Sequence, residues 1–256
     1  MKKYIKIFAL IFTINSNSQD NNQLLVDYTY ENDYFKNREV LIVKDNNTFY
    51  INDTLNIKNN AEPIKDEDGN YTISPNKINL KKKSIYGNLN NNIFNIIMPY
   101  KNKTFFVSDT LNHLKWEIQD AEKLKIGEYN CTKALLTFRG RDYKAYFTEE
   151  IPISTGPWKF KSLPGLILYI ESTSGELTHS WKANKIIYPF NKNTNQIINF
   201  EFDEKIISLK EYITYKEKEF LINSKISDSR VPKGTSVQST KVERLGIELI
   251  YEWEEN

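Results

Sequence analysis

Thr155-Gly156-Pro157-Trp158-Lys159-Phe160-Lys161-Ser162-Leu163-Pro164-Gly165-Leu166-Ile167-Leu168-Tyr169-Ile170 is the stretch on which the reading of the fold turns. Two prolines, two glycines and two bulky aromatics are followed at once by an apolar, strand-like run. Proline has no N–H and pushes the residue before it toward extended backbone, so neither proline suits the middle of a sheet. Pro164-Gly165 fits positions i+1 and i+2 of a type II turn, where glycine supplies a positive φ. The segment therefore reads as a corner. Gly156-Pro157 leaves the sheet, Trp158, Phe160 and Leu163 plug one end of the core, and Leu166-Ile167 starts the next strand.

Upstream, Tyr129 to Phe138 and Tyr143 to Phe147 flank Arg139-Gly140-Arg141-Asp142, the pattern of a hairpin with a short turn. Alternation places Tyr129, Cys131, Lys133 and Leu135 on one face, and Asn130, Thr132, Ala134 and Leu136 on the other. Further strands are expected at Leu24–Tyr30, Glu39–Lys44, Thr48–Asn52, Ser84–Leu89, Ile93–Met98, Lys103–Val107 and Leu114–Ile118. Beyond the corner they are expected at Leu166–Ser172, Glu176–Tyr188 and Ile197–Phe202. Asp45-Asn46-Asn47 joins two of them as a hairpin turn, since Asp and Asn tolerate left-handed backbone. Residues 59–70 read as a polar surface loop. Ser208 and Glu211 have capping-box spacing, and Leu209, Tyr212, Ile213, Phe220 and Leu221 recur at helical intervals, which predicts a helix at about 208–224. Val242–Trp253 reads as a last strand or a docked tail. The expected fold is mainly β: an antiparallel curved sheet, half-barrel or barrel, with one C-terminal helix. The division expected is a leader over 1–18, one β-rich domain with its helix over 19–224, and a mobile segment with a docked tail over 225–256.

The chain has 256 residues, ample for a sizeable core. Its 16 Tyr and 14 Phe suit strands and argue against wholesale disorder. Met1-Lys2-Lys3-Tyr4, the apolar run Ile5–Ile14 and the small polar run Asn15–Gln19 read as a secretory signal peptide, too short to span a bilayer. Removing its three lysines would take the net charge from +2 to about −1. A nucleic-acid partner is not expected, because Lys81-Lys82-Lys83 is the one dense basic run and reads as a solvated strand end. One cysteine, Cys131, allows no internal disulfide.

Trp116, Tyr129–Ala134, Phe138–Tyr143, Ile151–Ser154, Gly156–Phe160 and Leu163–Ile167 occur in an order that resembles the GLPGLI family of exported, Bacteroidetes-type bacterial proteins. The family's namesake hexapeptide has Gly where Ser162 stands. The resemblance implies an envelope or secreted protein: periplasmic, associated with the outer membrane, or released. It implies no chemistry, because the family has no established activity.

The candidate chemistry in the sequence is sparse. Cys131 with His113 or His179 would be a thiol nucleophile and base, but no third group is evident, and a small buried thiol is the structural alternative. The two histidines are far apart and no Cys or His lies at ligand spacing, so no metal or cofactor is expected. Asp66-Glu67-Asp68-Gly69-Asn70 lacks the full pattern of a calcium loop. Glu149-Glu150 would point to opposite faces of an extended chain. Arg139 and Arg141 could clamp a phosphate or carboxylate, or pair with Asp142, Glu149 or Glu150. Asp53-Thr54-Leu55 and Asp109-Thr110-Leu111 match a short O-glycosylation signal. Arg139, Arg141, Trp158 and Phe160 are the candidate ligand- or partner-facing residues. Gly156, Pro157, Leu163, Pro164, Gly165, Leu166 and Ile167 form the structural motif. The expected function is a non-enzymatic binding or carrier module for an apolar ligand or partner segment. An envelope adaptor is the alternative, and a Cys131 hydrolase ranks behind both.

Overall fold

The computed structural model describes residues 23–34, 36–52, 83–190, 205–228, 244 and 246–254. The leader, the 59–70 loop with its acidic run, Asp53-Thr54-Leu55, the expected strand at 197–202 and residues 229–243 lie outside the described residues.

Two antiparallel meanders make one sheet. The first is β1 (Leu24–Asn32), β2 (Lys36–Lys44), β3 (Asn47–Asn52), β4 (Ser84–Asn88), β5 (Ile93–Tyr100) and β6 (Lys103–Thr110). The second is β7 (Glu117–Ile126), β8 (Tyr129–Phe138), β9 (Arg141–Thr148), β10 (Leu166–Ser172) and β11 (His179–Ile187). β11 pairs with β1 and fuses the two. A short β12 (Ile206–Ser208) then runs parallel to β6, and α1 (Leu209–Asp228) follows it. The order across the sheet is β12-β6-β5-β4-β3-β2-β1-β11-β10-β9-β8-β7. The sheet is mainly antiparallel, curved and open, with β12 and β7 as its edges.

The registers assemble one continuous inner face, because side chains alternate along each strand. Leu41 on β2 stands opposite Val26 and Tyr50, Tyr50 opposite Ile85, Ile85 opposite Ile96, and Ile96 opposite Val107. In the other direction Tyr30 faces Trp181, Trp181 faces Ile170, Ile170 faces Ala145, and Ala145 faces Ala134. All of these residues are buried in a single core cluster. A small second cluster of Ile42, Phe49, Tyr86 and Ile97 covers part of the outer face.

Turn chemistry sets the hairpins. Asp45 and Asn46 have φ of 51° and 62°, and Arg139 and Gly140 have 45° and 79°, the paired positive values that a two-residue hairpin turn needs. The helix starts as its sequence indicates: the Glu211 carboxylate accepts from the Ser208 N–H at 2.7 Å, and the Ser208 hydroxyl accepts from the Glu211 N–H at 3.2 Å.

The structure departs from the sequence reading at several elements. β7 runs to Ile126 rather than stopping at Ile118, because it is a charged edge strand with little apolar alternation to betray it. β6 extends through Thr110, and β11 begins at His179 rather than Glu176. β12 is too short to read in sequence, and α1 continues four residues beyond its expected end, to Asp228. The C-terminal segment 246–254 holds no strand and docks as a tail. Thr132, Ala134, Leu136 and Phe138 of β8 point into the core, and Cys131, on the alternate face, is also buried opposite Leu124 beside a register shift in β7.

Candidate binding site

Residues 149–165 leave the sheet after β9 and return into β10 across its inner face. Trp158, Phe160 and Leu163 are all buried there. Phe160 is the hub, with its ring 4.9 Å from Tyr143, 5.7 Å from Trp181 and 5.1 Å from Trp158. The Lys161 ammonium donates to the carbonyls of Asn88, Leu89 and Asn91 at 3.1, 3.0 and 2.7 Å, which pins this plug to the β4–β5 turn.

The corner itself differs from the expected type II turn. Gly165 has no positive φ; the left-handed positions are Trp158 (φ 55°) and Ser162 (φ 76°). What Gly165 supplies is room: a Cβ there would lie 2.0 Å from the Thr148 carbonyl oxygen. The chain needs glycine because β10 leaves the corner in contact with the end of β9, where Leu166 pairs with Thr148.

Beside the plug lies a buried charge cluster. The Arg139 guanidinium grips Asp109 with two bonds of 2.9 Å and Glu252 with bonds of 2.9 and 3.1 Å, and also donates to Glu248. The Lys159 ammonium donates to Asp109 at 2.7 Å and to Glu248 at 2.6 Å. Burial opposes ionisation of Asp109, but Lys159 and Arg139 outweigh it and hold the carboxyl below its usual value. Burial likewise opposes the charge on Arg139, and its carboxylate partners reverse that and raise its pKa.

The cluster fastens the tail. Leu249 and Ile250 donate their backbone N–H groups to the Arg139 carbonyl at 2.9 and 3.2 Å. Arg141 donates from Nε and Nη2 to the Gly246 carbonyl at 3.0 and 2.9 Å, and from Nη1 to the Ser174 and Leu177 carbonyls, each at 2.8 Å. The Tyr143 hydroxyl donates to the Ile247 carbonyl at 2.9 Å. Both arginines singled out in the sequence thus hold the protein's own C-terminal segment, and the partners of Arg139 are Asp109, Glu248 and Glu252 rather than Asp142, Glu149 or Glu150.

Between plug, helix, tail and inner face opens a pocket of ≈ 540 Å³. The sheet contributes Met98 and Tyr100, the plug Trp158, and the tail Ile247 and Tyr251. The helix contributes Leu209, Tyr212, Ile213 and Phe220. Four cations line it as well: Lys83, Lys159, Lys216 and Arg244. Arg244 is engaged by Glu254 through two bonds of 2.6 Å and by Glu217. Desolvation lowers the pKa of Lys216, with Arg244 adding to it. Desolvation and then Lys159 lower that of Lys83, whose side chain nevertheless keeps exposed surface in the pocket. A second depression of ≈ 590 Å³ lies at the β7–β8 turn, against β10 and β11, and shares none of these groups.

The remaining sequence candidates fall apart in space. Cys131 is on β8 and His179 on β11, with β9 and β10 between them, and His113 is an exposed residue of the β6–β7 connection. Burial pushes the Cys131 thiol up to about 11. The His179 Nδ1 lies 2.7 Å from the Tyr30 hydroxyl. Glu149 and Glu150 sit in the turn after β9, and Glu150 accepts from the Asn130 backbone at 2.8 Å. Asp109 faces the charge cluster while Thr110 is exposed. Among the described residues no group of three or more His, Cys, Asp or Glu could hold a metal ion. Sequence reasoning missed Asp109 and Glu248 as partners of Arg139, and Lys83 and Lys216 as pocket residues. Only Asp109, an acid on the same phase of β6 as Phe105 and the buried Val107, carried a local signal.

Residues 137–169 match a family model described as a protein of unknown function (Porph_ging). The match runs from the end of β8 through the plug and into β10. No curated protein matches. Among solved structures, the chain is similar to "Structure of PNGF-II in P21 space group" at 15% identity and a TM-score of 0.49, covering 75% of this chain and 32% of that one. It is also similar to "Structure of PNGF-II in C2 space group" at 16% identity and a TM-score of 0.47, covering 73% of this chain and 30% of that one. The chain therefore spans about a third of the length of those solved chains.

Proposed function

We propose that this chain is an exported protein of the GLPGLI type: a non-enzymatic binding or carrier module that holds an apolar ligand or partner segment. Its place would be the periplasm, the outer membrane's surface or the medium. The observation that carries the reading is the ≈ 540 Å³ pocket, walled by aromatic and aliphatic side chains from sheet, plug, helix and tail. That volume lies within the range of roughly 300–1,000 Å³ usual for small-molecule sites. The non-enzymatic reading is supported by Cys131, whose burial raises the thiol pKa, the reverse of what a nucleophile needs.

The test is mass spectrometry of what copurifies with the natively exported protein, compared with Met98→Trp, which fills the pocket. An apolar compound present with the wild type and lost from a folded Met98→Trp protein is the expected result. Equal recovery from both would place the ligand elsewhere, and no apolar compound from either would refute the carrier reading. One observation favours the adaptor alternative: Phe220, Leu221 and Ile222 of α1 are consecutive and exposed. Pull-down of one envelope protein that is lost in Leu221→Glu, with nothing bound in the pocket, would favour it.

A further inference from the structure

We infer that the pocket takes a single-chain amphiphile with one anionic head group, its acid held by Lys83 and Lys216 and its chain laid along the apolar wall. The inference rests on the binding reading above and adds the ligand's charge.

Four cations but only two carboxylates are among the described residues that line the pocket. The carboxylates that line the pocket are Glu217 and Glu248. Glu217 is paired with Arg244, which Glu254 also grips. Glu248 is paired with Lys159 and Arg139 inside the buried cluster. Among the described residues no carboxylate forms an ion pair with Lys83 or Lys216. The Lys216 ammonium instead rests 5.8 Å from the ring centre of Tyr100 and 5.6 Å from that of Tyr212. Lys83 feels the positive charge of Lys159 and Lys216 against the negative charge of Glu39 and Glu248, neither of which forms an ion pair with it. Like charges at one cavity, the Lys216 ammonium half-buried and Lys83 at the pocket's exposed side, cost free energy, and an anion between them removes that cost. Burial lowers both ammonium pKa values, the state that an arriving anion would reverse.

The apolar side of the pocket defines the rest of the ligand. Met98, Leu209, Ile213, Phe220 and Ile247 offer no hydrogen bonds from their side chains, so an acyl chain suits this wall and a second polar group does not.

The test uses the full mature chain, stripped of copurified lipid, with the neutral dye N-phenyl-1-naphthylamine as the pocket reporter. Dodecanoate, dodecyl phosphate and dodecyltrimethylammonium compete for the dye at concentrations below micelle formation. Either anion is expected to displace the dye at a concentration about ten-fold or more below that of the cation, the size of one charge-assisted hydrogen bond. The tighter anion identifies the head group. Lys83→Met with Lys216→Met should abolish the preference while leaving dye binding intact, and Lys101→Met, outside the pocket, should not. Equal displacement by anion and cation overturns the inference but leaves an apolar binding site standing. Failure of the dye and all three amphiphiles to bind overturns the binding reading itself. The ligand comparison on wild-type protein decides the matter even if the double variant does not fold.

Discussion

Gly165→Ala is the sharpest test of the corner. The added Cβ would lie 2.0 Å from the Thr148 carbonyl oxygen, 2.7 Å from its carbon and 3.0 Å from the Glu149 Cα. All three are backbone atoms at the end of β9, so no side chain can rotate away. Relief requires β10 to move from β9, where Leu166 pairs with Thr148, or the plug to lift. Lifting the plug disturbs the bond from the Leu166 N–H to the Ile151 carbonyl (3.1 Å) and that from the Ile167 N–H to the Thr155 carbonyl (3.0 Å). Overpacking costs about 1–3 kcal/mol, and a backbone obstacle belongs at the upper end. Alanine returns about 0.5 kcal/mol by stiffening the unfolded chain. The net loss is about 2.5 kcal/mol, or a fall in Tm of roughly 5–10 °C for a domain of this size. Urea and thermal unfolding followed by tryptophan fluorescence measure it, since Trp158 and Trp181 report on the plug and the inner face. A Tm within 2 °C of the wild type would refute the close-approach argument.

Ser162→Gly should act in the opposite sense three residues away, raising stability by about 1 kcal/mol, because Ser162 holds a φ of 76° that costs an L-residue strain; a loss of stability in the same urea titration would contradict this. Arg139→Met removes the main partner of a buried carboxylate and should cost about 3–5 kcal/mol, with faster hydrogen exchange at the Leu249 and Ile250 amides that bond to the Arg139 carbonyl; unchanged exchange there would mean the tail is held by something else. Asp109 has a lowered carboxyl pKa, so its stabilisation is full above its unfolded value of about 3.9 and is lost as pH falls through the lower folded value. Urea midpoints of Asp109→Asn should therefore fall less steeply than those of the wild type as pH drops below about 4, and identical slopes would disprove the assignment. Cys131, buried with its thiol pushed up to about 11, should resist iodoacetamide at pH 8 in the native protein and react once unfolded; rapid native labelling would restore it as a nucleophile candidate.

The sequence by itself determined the local pieces. Asp45-Asn46 and Arg139-Gly140 marked their turns because few residues tolerate positive φ, and the Ser208–Glu211 spacing marked the helix start because a capping box is a contact between near neighbours. Alternation in β8 divided its residues between two faces, and the Pro/Gly-dense run revealed a corner. Weakly patterned pieces escaped: β7 is a charged edge, and β12 is a three-residue pairing with β6. The tertiary structure alone decided the rest. Gly165 looked like a residue needed for its φ and proved to be needed for space, because a close approach depends on a strand end seventeen residues away. Arg139 and Arg141 read as an anion clamp or as partners of nearby Asp142, Glu149 or Glu150, and the fold instead brings Asp109 from β6 to Arg139 and the tail from more than a hundred positions on to both. Lys83 looked like the end of a solvated lysine run, and only the meeting of β4, plug and helix puts it in one pocket with Lys216. Charge pairing and cavities are properties of distance in space, and sequence separation does not encode that distance.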